Sequence, residues 1–360
     1  MKPYFKQISQ PHVIGEELMA DAINGLRAAG YTLAACAARL GVNSMSGIPF
    51  FNGTPSIQDK VTLLLDLFIR QKAVLMIQLE EILSIKQLES LQQMNLINVE
   101  AGEVTSDFCL FPCYDKYIVT DHIVKNDAIN QIMYLFTESY ILGGVVERKP
   151  LKRTLDLCTG SGVHAILAAS HSEEVIGIDI NPRAIAFAEF NAQLNGVHNA
   201  KFLLGDLYQP VEGDFDLIIA NPPYNPDVLT RAGENFWSGG VTGMEVLSQI
   251  IKGLPAFLAE GGRSIIISLF PIMPGTTIQQ YVTEWLGSDS AYFDAFESTV
   301  FTDNSNSIYY QMPAYIKNEN FRFGLLRLKK RVSSKAGEWQ VHQMQAVFDG
   351  AGVPMHTIKL

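Results

Sequence analysis

Two short stretches carry residues whose types and spacing could do chemistry. The first, Thr154–Gly162 (T-L-D-L-C-T-G-S-G), is an apolar strand running into a glycine turn that opens a helix. The second, Asn221–Tyr224 (N-P-P-Y), closes another apolar strand, Phe215–Ala220, about sixty residues further on. Gly160 and Gly162 let backbone approach a ligand closely at the carboxyl end of a strand, where ligands of open α/β sheets bind. Asp156, inside the first strand, is placed to hold a cationic or amino-acid part of that ligand. Asp179 ends the next strand (V-I-G-I-D), where a carboxylate accepts hydrogen bonds from both ribose hydroxyls. Asp206, in G-D-L after the third strand, sits where an adenine amino group is read. These residues point to a nucleotide-type cofactor beside a substrate nitrogen.

The glycine turn by itself leaves the cofactor open. Gly160-Ser161-Gly162-Val163-His164-Ala165 fits G-x-G-x-x-A, which serves a dinucleotide as well as S-adenosylmethionine. The Asn-Pro-Pro-Tyr corner separates the two, because an NAD-dependent oxidoreductase has no use for it. The oxidoreductase stays as the remote alternative.

Positioning these residues requires a particular order of elements. Up to about Thr120 the pattern is mainly helical: Gly15–Ala29, Thr32–Leu40, Ser56–Arg70 with a Ser cap, and Ile82–Met94. Ile48–Pro55 reads as a loop, and Asn95–Phe111 as two short strands around Ala101-Gly102. Helices followed by a hairpin predict a winged-helix-like module that packs on and covers the substrate. Acidic residues outnumber basic ones up to Pro150, which argues against a DNA-binding role. Asp127–Leu142 is predicted as one amphipathic helix. From Arg153 apolar strands alternate with helices, implying a mainly parallel sheet covered on both faces. Ser307–Gln311 and Phe321–Lys329 alternate like a closing antiparallel pair, and Trp339–Phe348 reads as a final helix. The division expected is a helical module over 1–120, an α/β domain over 121–335 and a packed tail over 336–360.

The chain has 360 residues, is 48% hydrophobic and 18% charged, and carries a formal net charge of −10. That balance excludes a broadly basic nucleic-acid footprint. No uncharged apolar run reaches the ~20 residues of a membrane span, and Met1–Gln7 lacks a signal-peptide core. Cys36, Cys109, Cys113 and Cys158 lack zinc-type spacing and read as reduced thiols of a cytoplasmic protein, with no metal expected.

The runs 155–162, 177–184, 205–207, 215–224 and 238–245 (S-G-G-V-T-G-M-E) together resemble the class I S-adenosylmethionine-dependent methyltransferases of the N-P-P-Y amino-methyltransferase type. They cover Leu151–Leu269, about a third of the chain. Those that methylate the glutamine side-chain amide of release factors and ribosomal proteins look nearest. Ribosomal-RNA and tRNA enzymes acting on base nitrogens share the motifs. The resemblance implies a Rossmann-like, mainly parallel seven-stranded sheet with helices on both faces, S-adenosyl-L-methionine as cofactor and S-adenosyl-L-homocysteine as product. It further implies that Asp156, Gly160 and Gly162 hold the methionine end, Asp179 the ribose and Asp206 the adenine. Cys158, Ile180, Leu207 and Asn221 complete the implied cofactor set. Cys158 departs from the family turn, where the first position is usually glycine.

On the same resemblance Asn221, Pro222 and Tyr224 are the catalytic residues. A carboxamide or arylamine nitrogen is a poor nucleophile because its lone pair is conjugated. The Asn221 side-chain oxygen and the Pro222 carbonyl can each accept one N–H and favour a pyramidal nitrogen. Two prolines stiffen the corner and preorganise these acceptors. Pro223 and Tyr224, the latter stacking on the planar group, would bind substrate together with Phe236 and Trp237. Glu234, His164, Tyr309, Tyr310 and the basic run Arg327–Arg331 read as packing or solvated residues. The acceptor is a protein glutamine or a small metabolite, with an RNA or DNA base as the alternative, and the enzyme a monomer or homodimer.

Overall fold

The computed structural model describes residues 9–41, 57–122, 131–227, 237–271, 276–301, 321–332, 339–345 and 358–359. The N-terminal elements are α1 (Glu16–Ala28), α2 (Leu33–Leu40), α3 (Lys60–Phe68), β1 (Val74–Leu75), α4 (Met76–Glu80), α5 (Ile85–Gln93), β2 (Asn98–Glu100) and β3 (Glu103–Thr105). Thr32 caps α2 by accepting from Ala35 N–H, and Gly41 ends it in the left-handed conformation. The third helix starts at Asp59, not Ser56: the Asp59 carboxylate accepts from both Val61 and Thr62 N–H. A Ser84–Gln87 capping box opens α5. The three short strands pair in the order β1-β3-β2, around the predicted Ala101-Gly102 turn.

A hairpin follows, β4 (Phe108–Cys113) and β5 (Lys116–Asp121), almost wholly buried. The expected boundary at residue 120 falls one residue before its end. The next helix is shorter than predicted: α6 spans Thr137–Val145. Residues 131–136 form no helix and no strand, and 123–130 lie outside the described residues. This stretch is held by tertiary bonds, Ile132 N–H to Asp121 Oδ2 at 2.7 Å and Gln131 Nε2 to the His122 carbonyl at 2.9 Å. Those bonds replace helical ones.

The rest is β6 (Leu151–Leu157), α7 (Val163–Ala168), β7 (Ser172–Asp179), α8 (Pro182–Leu194), β8 (Ala200–Leu204), β9 (Phe215–Ala220), α9 (Glu245–Phe257), β10 (Leu258–Pro271), α10 (Ile278–Leu286), β11 (Phe293–Phe301), β12 (Phe321–Lys330), β13 (Trp339–Gln345) and β14 (Ile358–Lys359). Seven strands form the predicted sheet in the order β11-β12-β10-β9-β6-β7-β8, and β12 is antiparallel to both neighbours. The remaining two extend its edge, so Trp339–Gln345 is a strand and not the predicted helix. Seven residues of this stretch pair in parallel with β11, and that pairing satisfies a sheet edge which a helix would leave open. The partners of β12 are β10 and β11, while Ser307–Gln311 lies outside the described residues.

Side-chain alternation divides the strands between two cores. Leu217 and Ile219 point into one cluster, Ile218 and Ala220 into the other with Leu247 and Ile251 of α9. The first cluster is continuous with the N-terminal elements, from Met19, Tyr31 and Phe108 through to Phe187 on α8. Two asparagines stitch this seam. Asn191 on α8 exchanges hydrogen bonds with the Val119 N–H and C=O at 2.8 and 2.9 Å. Asn195, just past that helix, does the same with Tyr117 at 2.9 and 2.7 Å. Each side-chain amide stands in for the missing neighbour of β5. The Asn191 amide also donates to the Ser161 carbonyl at 2.9 Å, tying the seam to the glycine turn.

Candidate active site

The register of the sheet brings the two stretches together. Leu157 at the end of β6 pairs with Ala220 at the end of β9, so Cys158 and Asn221 leave the sheet side by side. The turn that follows bends through Cys158 at φ +58° and Gly160 at φ +53°. A β-carbon at that angle costs about 1 kcal/mol, so Cys158 is strained where a glycine would not be. Burial pushes its thiol well above the usual range. All four cysteines are unbridged.

Asp156 lies one layer beneath the turn, fully buried. Its Oδ2 accepts from Thr159 Oγ1 at 2.6 Å and from Ala165 N–H at 3.0 Å, which pins the turn to the start of α7. Its Oδ1 has no partner among the described residues, and burial pushes the carboxyl up to about 7. Asp179, at the tip of β7, accepts from Gly160 N–H and Asn181 N–H, both at 2.9 Å. Burial raises its pKa despite these bonds.

A cavity of about 490 Å³ opens over these strand tips. Of the sequence-predicted residues it is lined by Cys158, Gly160, Asp179, Ile180, Asp206, Leu207, Asn221 and Pro223. Asp156, Gly162, Pro222, Tyr224 and Trp237 are not among its lining. Asp156 therefore supports the turn from beneath, and a β-carbon on Gly162 would stand 2.9 Å from that of Ala188. Tyr224 is only 8% exposed and belongs to the apolar core, which departs from the stacking position predicted for it. Phe236, Glu234, Tyr309 and Tyr310 lie outside the described residues. His164 does line the cavity, but burial pulls it down to about 4, so it is neutral at pH 7.

One wall had no sequence signal of its own. Gln131–Leu135 and Ser139 line the cavity, within a stretch predicted as plain helix. The polar cluster Thr137-Glu138-Ser139 in an apolar run is the only mark of a special position there. Among the described lining residues there are two carboxylates and no lysine or arginine. Such a lining suits a cation and is hostile to a pyrophosphate.

The corner is braced from behind. Asn225 N–H donates to the Trp237 carbonyl at 2.8 Å, Gly239 N–H to the Asn225 carbonyl at 2.8 Å, and Asp227 N–H to the Gly240 carbonyl at 2.9 Å. Gly239 and Gly243 allow this approach. A β-carbon on Gly239 would stand 2.8 Å from the Pro223 carbonyl, and one on Gly243 only 2.4 Å from that of Tyr224. Glu245 closes the loop at the start of α9, accepting from Thr242 N–H at 3.0 Å and Met244 N–H at 3.1 Å.

Residues 148–294 match a family model described as a methyltransferase domain. This segment is a methyltransferase domain. Relatives share it. A Methanocaldococcus jannaschii protein named as a protein N5-glutamine methyltransferase is 40% identical over 116 residues, 31% of this chain and 58% of its own. A release factor glutamine methyltransferase of Thermodesulfovibrio yellowstonii is 33% identical, over 33% of this chain and 48% of its own. A ribosomal protein uL3 glutamine methyltransferase of Bradyrhizobium diazoefficiens is 34% identical, over 34% and 46%. The chain thus spans about half the length of the relatives it matches. The matched part holds the strand tips, the glycine turn and the Asn-Pro-Pro-Tyr corner, so the methyltransferase domain contains both stretches from which the cavity is built.

Proposed function

We propose that this chain is an S-adenosylmethionine-dependent N-methyltransferase whose acceptor is a planar nitrogen, first among them the side-chain amide of a protein glutamine. The observation that carries the reading is that Asn221 and the Asp179–Asp206 edge open into one cavity free of basic side chains among its described lining. When bound, S-adenosylmethionine supplies an electrophilic methyl carbon on a cationic sulfur. Asp179 holds the ribose and Asp206 the adenine, with Ile180 and Leu207 flanking them. The Gly160 turn, stiffened from below by Asp156, receives the methionine end. The absence of lysine and arginine from the described lining favours this cation over NAD.

Asn221 accepts one N–H of the acceptor through its side-chain oxygen. That oxygen sits at the head of a corner fixed by two proline rings, so little reorganisation is needed when charge develops on nitrogen. Holding that nitrogen against the donor supplies much of the rate by proximity. The N-terminal elements, continuous with the core behind the site, cover the acceptor and select it. The names of the relatives favour a glutamine amide over a base or a metabolite. Incubation with methyl-labelled cofactor and fractionated extract tests this. Label in protein, released as methylamine on acid hydrolysis, supports the reading; label confined to RNA or to small molecules refutes the glutamine acceptor.

A further inference from the structure

The Asn221 oxygen accounts for one N–H of the acceptor, but a primary amide or amine nitrogen carries two. The Pro222 carbonyl, expected to take the second, is not on the described lining of the cavity. Beside the corner that lining holds Pro223, Ser238 and Val246, and of these three only Ser238 brings a side-chain oxygen. Ser238 is seated against the corner. Its backbone bridges to Asn225 in parallel, and a β-carbon on the next residue, Gly239, would stand 2.8 Å from the Pro223 carbonyl.

The Ser238 hydroxyl already has its proton committed. It donates in a short bond to Asp227 Oδ1, since a carboxylate can only accept. One lone pair of the hydroxyl meets the Gly240 N–H at 3.4 Å, a long contact. The other is left for a ligand, because a hydroxyl oxygen carries two. The loop does not need this side-chain pair to stay closed. Asn225, Asp227 and Gly239 are already joined across it by backbone hydrogen bonds of 2.8–2.9 Å.

We infer that, on the methyl-transfer reading proposed above, Ser238 is a second catalytic residue: polarised by Asp227, its hydroxyl oxygen accepts the second N–H of the acceptor and carries that proton out of the site. Two oxygens, from Asn221 and Ser238, then hold a nitrogen with two hydrogens and leave its lone pair free to face the donor. When the new carbon–nitrogen bond forms, the carbon–sulfur pair stays on sulfur and nitrogen turns cationic. A hydroxyl whose own proton is drawn toward a carboxylate is a stronger acceptor for that charge. The N–H proton passes to Ser238 Oγ as the Ser238 proton passes to Asp227 Oδ1. Asp227 is exposed, so the acid formed there releases the proton to water and the pair is restored. The other carboxylates of the described lining, Asp179 and Asp206, are taken up by the cofactor edge.

The test is a cycle of variants assayed with methyl-labelled S-adenosylmethionine and whichever extract fraction accepts label. Calorimetric titration with S-adenosylhomocysteine and melting are run beside it. Ser238→Ala should lose roughly 10- to 100-fold in kcat. Its affinity for S-adenosylhomocysteine should stay within about threefold and its melting close to wild type, because every backbone bond of the loop remains. Asp227→Asn keeps a carbonyl oxygen for the Ser238 hydroxyl but cannot take the proton, and should lose roughly tenfold. The double variant should be no slower than Ser238→Ala alone, since the two side chains act as one unit. Wild-type kcat in Ser238→Ala overturns the inference, and so does a double variant whose losses multiply. Cofactor affinity or melting that falls in step with activity also overturns it, and assigns the pair to the loop's structure. A wild type that labels no fraction refutes the function proposed above and this inference with it. A wild type that labels a fraction, matched by Ser238→Ala, refutes the inference alone.

Discussion

Arg183 of α8 and Asp121 of β5 form an ion pair across the seam, with side chains only 6% and 4% exposed. Arg183 Nη2 donates to Asp121 Oδ1 at 2.6 Å and also to the Ser9 carbonyl at 2.8 Å. Asp121 Oδ2 in turn takes the Ile132 N–H that anchors the cavity wall. One carboxylate therefore joins the N-terminal hairpin, the helix after the Asp179 strand, and the Gln131–Leu135 wall of the cavity.

Removing that carboxylate strands a buried guanidinium. Asp121→Asn should lower stability by about 3–5 kcal/mol and weaken binding of S-adenosylhomocysteine, because the Gln131–Leu135 wall loses its anchor. Calorimetric melting and titration measure the two effects. The double variant Asp121→Leu/Arg183→Met should regain most of the stability but not the affinity. Full recovery of affinity in the double variant sinks the wall-anchoring role.

Stability should also fall as the pH rises through neutrality. Burial pushes Asp156 and Glu138 each up to about 7, while in the unfolded chain such groups titrate near ~4. Both bind their protons more tightly when folded. Their contribution is complete below about pH 4 and is lost as the pH rises through about 7. The ligand-free protein is expected to melt higher at about pH 6 than at about pH 8, by on the order of 2 kcal/mol. Asp156→Asn keeps an acceptor for Thr159 and Ala165 but cannot ionise, so it should remove its share of that slope. An unchanged slope in this variant means that Asp156 is ionised throughout.

The close approach at Gly239 and Gly243 makes a steric prediction. Alanine at either position drives a methyl into the carbonyls of Pro223 or Tyr224. The loop must then back away from the corner, with a loss of about 1–3 kcal/mol and a fall in methyl transfer of at least about tenfold. Binding of S-adenosylhomocysteine should hold, since Asp179 and the Gly160 turn are on other strands. Gly15→Ala is the control: its φ is −57°, and its added β-carbon would meet only Leu18 at 3.9 Å. Wild-type transfer in Gly239→Ala contradicts the bracing role.

Most of the site's floor was legible in the sequence, because it is built from local signals. An apolar run ending in Cys158-Thr159-Gly160, and another ending in Asn221-Pro222-Pro223, each mark a strand and its abrupt stop. Their adjacency was not written locally; it comes from the parallel pairing of β6 with β9. The wall at Gln131–Leu135 was missed because bonds to Asp121 and His122, 11 and 9 residues away in the chain, hold it out of a helix. Helical periodicity in that stretch reports only its apolar content. Trp339–Gln345 was misread for a related reason, since the sheet edge at β11 decides its conformation. Asp156 was placed correctly in its strand, yet its burial beneath the turn depends on Thr159 and Ala165 closing over it.

Asn221 gives the sharpest test of the chemistry. It leaves β9 beside Cys158 and lines the cavity, and no described residue hydrogen-bonds its side chain. Its amide oxygen is thus available to an acceptor nitrogen. Asn221→Ala deletes that oxygen while leaving both prolines, the Gly239 brace and the Asp179 edge in place. Transfer should fall by roughly 100- to 1,000-fold, the range seen when one preorganised hydrogen-bonding group is removed. Affinity for S-adenosylhomocysteine should change by less than about threefold, because the cofactor edge is carried by other strands. Asn221→Asp separates geometry from charge: it keeps an oxygen at the same place but adds a negative charge close to Asp179 and Asp206. It should transfer slowly at neutral pH and improve as the pH falls and the new carboxyl takes up a proton. Rates and affinities measured together decide the matter. A variant that loses cofactor binding in step with activity would move Asn221 from the acceptor's side of the site to the donor's.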